Sequence, residues 1–382
     1  MKKVNLIMPP ALELYDPSAY QNLGLLYLGG ALKDKYECKY IDLSETNIIP
    51  DADFNLITVL QATYISALET VRLLAGNTDS KIIVGGIEVT VNPEKAYSDF
   101  HPHCAVCGEA ELQIENILNN NITGIHDCGV VKNLDEAAFP DRDLIPLDKL
   151  RNVSSIHGDR YSGDGASTTI ITSRGCPYKC TFCCKIPQTS YFRWRSASNV
   201  HKEMVEIKTK YDISHFRFID DCFTANKKRV FDLCSLLKDN DFYWMCCTRA
   251  DLVNASLLKE MYNAGCREIA FGVESGSQRM IDIMNKEETI EQYIKTFKLV
   301  KEAGIKIKIL LMENYPGETP DDVVKTMDFV KTVQPDKWTL SSYVALHGSA
   351  KSMRMEPYGK FFYPMQESKL KLWLKNEEWK YK

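Results

Sequence analysis

Short apolar runs alternate with stretches of helical spacing along most of the chain, in two successive blocks. In the first, residues 4–8 (VNLIM), 38–42 (CKYID), 56–60 (LITVL) and 81–86 (KIIVGG) are apolar runs of strand length. Residues 23–33 (LGLLYLGGALK) and 66–76 (SALETVRLLAG) have helical spacing, and Gly76 closes the second of these. Residues 104–118 (CAVCGEAELQIENIL) read as a strand, a turn and a helix. Strands alternating with helices predict an α/β fold with a parallel, doubly wound sheet, over about residues 1–125. In the second block the strands are expected at 168–172, 215–219, 244–249, 268–273, 306–312 and 338–346. Helices are expected near 199–211, 226–239, 255–264, 290–303 and 320–333, with Asn254 or Ser256 capping the third and Gly265 ending it. Six strands with five helices between them fit a partial (β/α)6 barrel over 166–348. Residues 126–165 read as a linker, polar and Gly/Ser-rich at 154–167, and 349–382 as a short C-terminal tail.

Composition narrows the function classes. With 45% hydrophobic and 26% charged residues the chain is of ordinary globular type, and its net charge of −4 offers no electrostatic footprint for nucleic acid. The start, MKKVNLIMPP, reaches Pro9, Pro10 and Glu13 too soon for a secretory apolar segment. No run approaches the roughly 20 apolar residues needed to span a bilayer. Thirteen cysteines in a chain of this size then argue for a reducing, cytoplasmic setting and against a disulfide scaffold.

The cysteines of RGCPYKCTFCC carry the most specific signal. Cys176, Cys180 and Cys183 are separated by three and then two residues. A cubane iron–sulfur cluster takes a thiolate on each iron, so a trio without a fourth partner at that spacing leaves one iron open. An open coordination position marks a metal centre that does chemistry. Ordinary buried thiols, or a zinc site completed by Cys184 and Cys222, are the competing readings. A zinc ribbon needs two Cys-x-x-Cys knuckles, and only Cys180/Cys183 has that form here; the cluster His103, Cys104, Cys107 falls in the other block.

The Cys-x3-Cys-x-aromatic-Cys pattern, with Phe182 as the aromatic, resembles the signature of the radical S-adenosylmethionine (SAM) superfamily. In that family a [4Fe-4S] cluster on the three cysteines binds SAM at its open iron, and reductive cleavage yields a 5′-deoxyadenosyl radical. The strings NLGLLYLGGAL, ATYISALE, GGIEVTVNPEKA and CGEAEL resemble the cobalamin-binding-type domain found ahead of many radical SAM modules. The likeness covers about residues 1–345. No Asp-x-His-x-x-Gly is present to supply a histidine ligand to cobalt, and the family's Gly-Glu-Gly-Glu turn reads Gly108-Glu109-Ala110-Glu111 here.

Ligands on sheets of both kinds sit at the carboxyl ends of strands. In the first block those ends carry Thr63, Gly85, Gly86, Gly108 and Glu109, which the resemblance assigns to cobalamin; as plain sheet residues they would only make turns. In the second, FIDDCFT ends in Asp220 and Asp221. Paired acids are costly unless solvated or paired, and the resemblance sets one of them against the SAM ammonium; the other is then free to cap the next helix. Arg249 emerges from an apolar strand as a partner for the SAM carboxylate or for Glu274, or as half of a structural ion pair. Glu274 and Ser275 of GVESGS suit ribose hydroxyls or the polar end of SAM, and Phe182 suits the cluster and adenine.

Two strand ends depart from the family pattern. Met-x-Gly-x-Pro-Gly-Glu-Thr becomes Met312-Glu313-Asn314-Tyr315-Pro316-Gly317-Glu318-Thr319, so that Asn314 replaces a glycine and Glu313 and Tyr315 become candidate substrate-side groups. Beyond the sixth strand His347 is a candidate proton acceptor. The resulting expectation is a cobalamin-dependent radical SAM enzyme. Its reading is a methyltransferase on an unactivated carbon or phosphorus centre of a small molecule, fed electrons by a reductant such as flavodoxin or ferredoxin. A radical SAM cyclase, rearrangement or oxidation enzyme with a vestigial first domain is the alternative, and an iron–sulfur redox sensor a remote one.

Overall fold

The computed structural model describes residues 1–11, 22–77, 79–150, 166–345, 347–349 and 368–376. Its contacts divide the chain into two units, the first running to Ser167 and the second beginning at Thr168.

In the first unit, β1 (Lys3–Met8), β2 (Glu37–Asp42), β3 (Phe54–Thr58), β4 (Lys81–Gly85), β5 (Cys104–Cys107) and β6 (Gly124–Asp127) form one sheet in the order β2-β1-β3-β4-β5-β6. Every pairing is parallel. Apolar side chains leave both faces, as near-continuous hydrophobic strands require. Ile7, Ile57 and Val84 pack with Tyr64, Val71 and Leu74 on one face, and Val4, Leu6 and Leu56 pack with Leu25, Leu32 and Ile114 on the other. The chain order reverses between β1 and β3, the topological switch point where sheets of this order bind ligands.

Of the region expected as a linker, residues 126–150 pack within this unit, and residues 151–165 lie outside the described residues. Asp141 donates its backbone N–H to the Leu26 carbonyl and its carboxylate takes the Lys33 ammonium at 2.9 Å. The approach is possible because residues 29 and 30 of the Leu23–Leu32 helix are glycines: a Cβ on Gly30 would run into the Phe139 carbonyl, and one on Gly29 into Leu144. The sixth strand and the helices Ile87–Val91 and Pro93–Phe100 are additions to the expected elements. The last of these begins with proline, where the missing N–H costs nothing.

The second unit is a six-stranded sheet taken in strict chain order: β7 (Ser167–Ile170), then, after the short antiparallel ribbon β8 (Ser173–Arg174) and β9 (Arg193–Trp194), β10 (His215–Phe218), β11 (Tyr243–Thr248), β12 (Cys266–Glu274), β13 (Lys306–Glu313) and β14 (Lys337–Ser342). The pairings from β10 through β14 are parallel. A helix follows each strand from β10 to β13, and the curled sheet is the expected partial barrel. All five expected helices are present, and Asn254 caps the third, accepting from the Leu257 N–H at 2.9 Å.

Asp322 fastens the outer helix Pro320–Val333 to the loop after β12. Its buried carboxylate accepts from Ser277 Oγ (2.6 Å), Thr319 Oγ1 (2.6 Å) and the Thr319 N–H (2.9 Å), and pairs with Arg279. The Arg279 hydrogen bond first, then those of Ser277 and Thr319, hold its carboxyl well below the usual carboxylate range. A depressed carboxyl contributes stability above the unfolded pKa of about 3.9 and loses it as pH falls through the folded value. Asp322→Asn is therefore expected to cost about 2 kcal/mol at pH 7, and less as the pH drops below about 4. All five tryptophans lie beyond residue 190, so tryptophan fluorescence during urea unfolding reports the second unit. A cost that is the same at pH 7 and pH 3 rules this account out.

Candidate active site at the strand ends of the second unit

The cysteine loop leaves β8 and is gripped from three directions. Gly175 has φ +78°, and a Cβ there would meet the Tyr191 carbonyl oxygen at 2.5 Å, so glycine is needed where the loop turns. The Cys176 N–H donates to Thr189 O at 2.8 Å. Further on, the Thr181 N–H donates to Met284 O at 2.9 Å, Asn285 Nδ2 to Lys179 O at 3.0 Å, and the Thr181 and Tyr315 hydroxyls lie 2.7 Å apart. Phe182 packs with Met280, Met284, Tyr315 and Tyr343.

The three thiols do not converge on a point. Among the described residues no group of three or more His, Cys, Asp or Glu side chains is gathered as a single metal ion would need. Cys180 and Cys183 are hydrogen-bonded to each other, and Cys176 to the buried Cys222. A mononuclear zinc tetrad is poorly served by that spread. A cubane places each thiolate on a different iron, so its ligands stand apart, and the soft, all-sulfur donor set with one residue buried fits it. The Cys183 hydrogen bond, aided by Lys286, Arg249 and Lys185, brings the Cys180 thiol down to about 6 against the opposing effect of burial. Cys176 is likewise lowered to about 7, first by its bond with Cys222. Thiolate, the ligating form, is thus accessible near neutrality at Cys176 and Cys180, whereas Cys183 is pushed up by its bond with Cys180 and then by burial.

The two acids of FIDD have separate tasks. Asp220, 3% exposed, accepts from the Thr172 N–H (2.6 Å), Thr172 Oγ1 (2.5 Å) and Ser173 Oγ (2.6 Å), with Arg229 3.6 Å away. It ties the end of β7 to the end of β10 and has no surface left for an ammonium. Asp221 is exposed yet closely surrounded, and among the described residues accepts from the Gly175 N–H alone, at 3.1 Å. Burial first, and then Asp220, push its carboxyl above the usual range. Of the pair, Asp221 is the one with room for a cation. Neither acid caps the following helix; Asn226 does, accepting from the Arg229 N–H.

Arg249 does not reach Glu274. It pairs with Asp251 (3.0 Å) and Glu288 (3.7 Å), and its guanidinium lies 3.7 Å from the centre of the Tyr178 ring. Its Nη1 is buried without a hydrogen bond. Glu274 sits where β12 breaks register with β13, with φ +65°, and pairs instead with Lys286 at 3.8 Å. Burial raises its carboxyl, and Lys286 opposes the rise. Ser275 is fully buried and turned away, bonding Thr326 Oγ1 at 3.2 Å. Gly276 lets the same helix approach: a Cβ there would meet Phe329 Cβ at 2.6 Å. The first half of GVESGS thus lines the site and the second half packs a helix.

The departures at β13 also have local explanations. Asn314 adopts φ +63°, the left-handed conformation its glycine counterpart would supply, and donates its N–H to Glu318 at 2.7 Å. Glu313 is 8% exposed and accepts from the Ser342 hydroxyl at 3.2 Å. Tyr315 is 1% exposed, its ring against Tyr343 and its hydroxyl on Thr181. Tyr315 supports the cysteine loop, and Glu313 ties the end of β13 to β14. His347 is half-buried.

In the first unit, Gly86 (φ +108°) allows Val59 O within 2.7 Å of where a Cβ would stand, and Gly108 (φ +79°) packs against the Gly129 backbone. Gly85 ends β4. Thr63 locks its turn through the Leu60 N–H at 3.0 Å, and Glu109 accepts from the Val131 N–H at 2.7 Å. These residues build the carboxyl ends of β3, β4 and β5 and shape the surface beside the switch point.

Sequence reading missed Lys286, Glu288 and Tyr178. Lys286 is 4% exposed, 3.5 Å from Glu288 and 5.9 Å from the Phe182 ring centre. Burial opposes its charge, but Glu274 and Glu288 outweigh burial and raise its pKa. Glu288 also accepts from Tyr293 (2.7 Å) and the Ala250 N–H (2.9 Å). The string NKEE looks like a solvated helix end; only the fold turns two of its charges inward.

Residues 170–330 match the model of the radical SAM superfamily, and residues 17–118 that of the B12 binding domain. An uncharacterized methyltransferase of Pyrococcus horikoshii is 29% identical over 87% of this chain and 79% of its own length. The bacteriochlorophyllide d C-8(2)-methyltransferase of Chlorobaculum tepidum is 26% identical over 65% of this chain and 56% of its own. The fold is shared with the radical SAM methyltransferase TsrM of Kitasatospora setae, solved with cobalamin and a [4Fe-4S] cluster, at a TM-score of 0.70 and 17% identity, over 91% of this chain and 76% of that one.

Removing Asp220 or Asp221 should separate scaffold from site. Asp220→Ala strands a buried guanidinium and is expected to cost about 3–5 kcal/mol. Asp221→Asn should cost under about 1 kcal/mol. Urea unfolding read by tryptophan fluorescence measures both, and equal costs would contradict the division of labour.

Proposed function

We propose that this chain, which belongs to the radical SAM enzymes carrying a cobalamin-binding domain, is a methyltransferase acting on an unactivated carbon or phosphorus centre of a small molecule. The observation that carries the reading is the pairing, in one chain, of the Cys176/Cys180/Cys183 loop at the first strand end of a partial barrel with a sheet matching the B12-binding model. Relatives named as methyltransferases, similar over most of the chain in one case, support the choice of reaction.

When bound, the cluster, SAM and cobalamin supply the one-electron and methyl-transfer chemistry, and the protein supplies position and environment. Cys176, Cys180 and Cys183 would hold the cluster, with Phe182 covering one side. Asp221, Arg249 and Glu274 are the polar groups that would hold the ammonium, carboxylate and hydroxyls of SAM, while Asp220 and Ser275 keep their strand ends in place. Thr63, Gly85, Gly86, Gly108 and Glu109 shape the surface on which cobalamin would sit. Among the described residues no helix is long and apolar enough to cross a membrane. Electrons come from a reductant, for which a flavodoxin or ferredoxin is the expected class.

The test is anaerobic reconstitution with iron, sulfide and hydroxocobalamin, followed by desalting and an ultraviolet–visible spectrum. Retained corrinoid bands beside an iron–sulfur shoulder are expected, and on reduction with SAM the protein should release 5′-deoxyadenosine. Cys180→Ala should lose the shoulder and the product together while keeping the corrinoid. A cluster without corrinoid would sink the cobalamin-dependent methyltransferase and leave a radical SAM enzyme of another kind.

A further inference from the structure

The turn after the Gln278–Ile283 helix is built against conformational preference. Asn285 (φ +53°) and Glu287 (φ +58°) both occupy the left-handed region, one on each side of Lys286, and Glu274 (φ +65°) across from it does the same. Asparagine tolerates that region; glutamate does so rarely. Such conformations persist where surrounding contacts over-determine them, and they concentrate at functional sites. Here the surrounding contacts are those of the cysteine loop: Met284 O takes the Thr181 N–H and Asn285 Nδ2 holds Lys179 O. The consequence of the paired turns is that Lys286 points inward between Glu274 and Glu288, beside Phe182, on the segment that carries Cys180.

An ammonium has three donors and a high desolvation cost, so a buried lysine whose ion pairs among the described residues are with carboxylates 3.5 and 3.8 Å away is poorly explained as a structural tie. A longer-range electrostatic task explains both the burial and the strain. We infer that Lys286 sets the reduction potential of the cluster held by the cysteine loop: it is a fixed positive charge on the Cys180 side, with Glu274 as its counterweight. The potential of such a cluster depends on nearby charge and on exposure. Taking up one electron makes the cluster and its thiolates more negative, so a buried cation favours the reduced form and raises the midpoint. A buried carboxylate does the opposite. Lys286 acts through the field it imposes on the cluster, as a positioning residue in charge rather than in geometry.

The inference rests on the cluster reading above, and its test separates the two. Wild type, Lys286→Met, Lys286→Arg and Glu274→Gln are reconstituted with iron and sulfide, without SAM, and titrated with a chemical reductant while the reduced cluster is followed by electron paramagnetic resonance. Circular dichroism reports folding. Lys286→Met should move the midpoint to more negative potential, Lys286→Arg should stay near wild type, and Glu274→Gln should move it to more positive potential. If Lys286→Met takes up no cluster, Glu274→Gln carries the sign alone. A midpoint unmoved by Lys286→Met, or a Glu274→Gln shift that is absent or negative, overturns the inference. Failure of the wild type to take up iron overturns the cluster reading instead.

Discussion

Asp220 is the constraint from which the rest of the site hangs. The end of a parallel strand leaves backbone donors and hydroxyls pointing into a region that must also admit a ligand, and each unpaired buried group would cost about 1–3 kcal/mol. One carboxylate answers three of them at the end of β7, and Arg229 offsets its charge from the next helix. The cysteine loop begins at the next residues. Its first turn is fixed by Asp221, the neighbour of Asp220, through the Gly175 N–H. Two adjacent acids therefore fix where the loop starts, and the second keeps an open side.

The far end of the same loop is fixed differently. There the contacts are the Met284 carbonyl, the Asn285 side-chain amide on the Lys179 carbonyl, and the hydroxyl of Tyr315, itself buried against Tyr343. Hydrogen bonds to backbone set position without consuming charge. The charged groups near Cys180 are then available for a different purpose: Lys286, Glu274, Glu288, Arg249 and Asp251 form a chain of ion pairs from 3.0 to 3.8 Å. Such a chain is weak as a source of stability, since desolvation offsets the attraction. It is effective at fixing the field in a place where solvent screening is low.

Much of the fold was legible because the periodicities are clean. The five barrel helices and the six barrel strands were readable to within a few residues, since each strand is a run of apolar or β-branched residues bounded by polar turns. The cysteine trio and the acid pair stand out in the sequence because few other arrangements put such groups at a strand end, though only the fold shows that Asp220 is taken up by Thr172 and Ser173. What escaped has a physical cause in each case. The segment around Phe139 reads as a linker because its partners, Gly29 and Gly30, lie more than 100 residues earlier. Ser275 reads as a ligand because a hydroxyl suits either a ribose or Thr326, and only packing decides. Glu313 and Tyr315 read as substrate groups because polar side chains near a strand end are ambiguous until their hydrogen bonds are known. Lys286 escaped entirely, since nothing local shows that NKEE is turned by two left-handed residues.

The replacement of glycine by Asn314 fits this last pattern. Glycine is used where a chain must enter the left-handed region and a ligand or another backbone must also come close. Where only the conformation is needed, asparagine, and at greater cost glutamate, can supply it together with a side chain. Asn314, Asn285, Glu287 and Glu274 all do so within the loops that follow β12 and β13. Each adds a hydrogen bond or a charge that glycine would lack. These loops carry polar groups at the expense of backbone comfort.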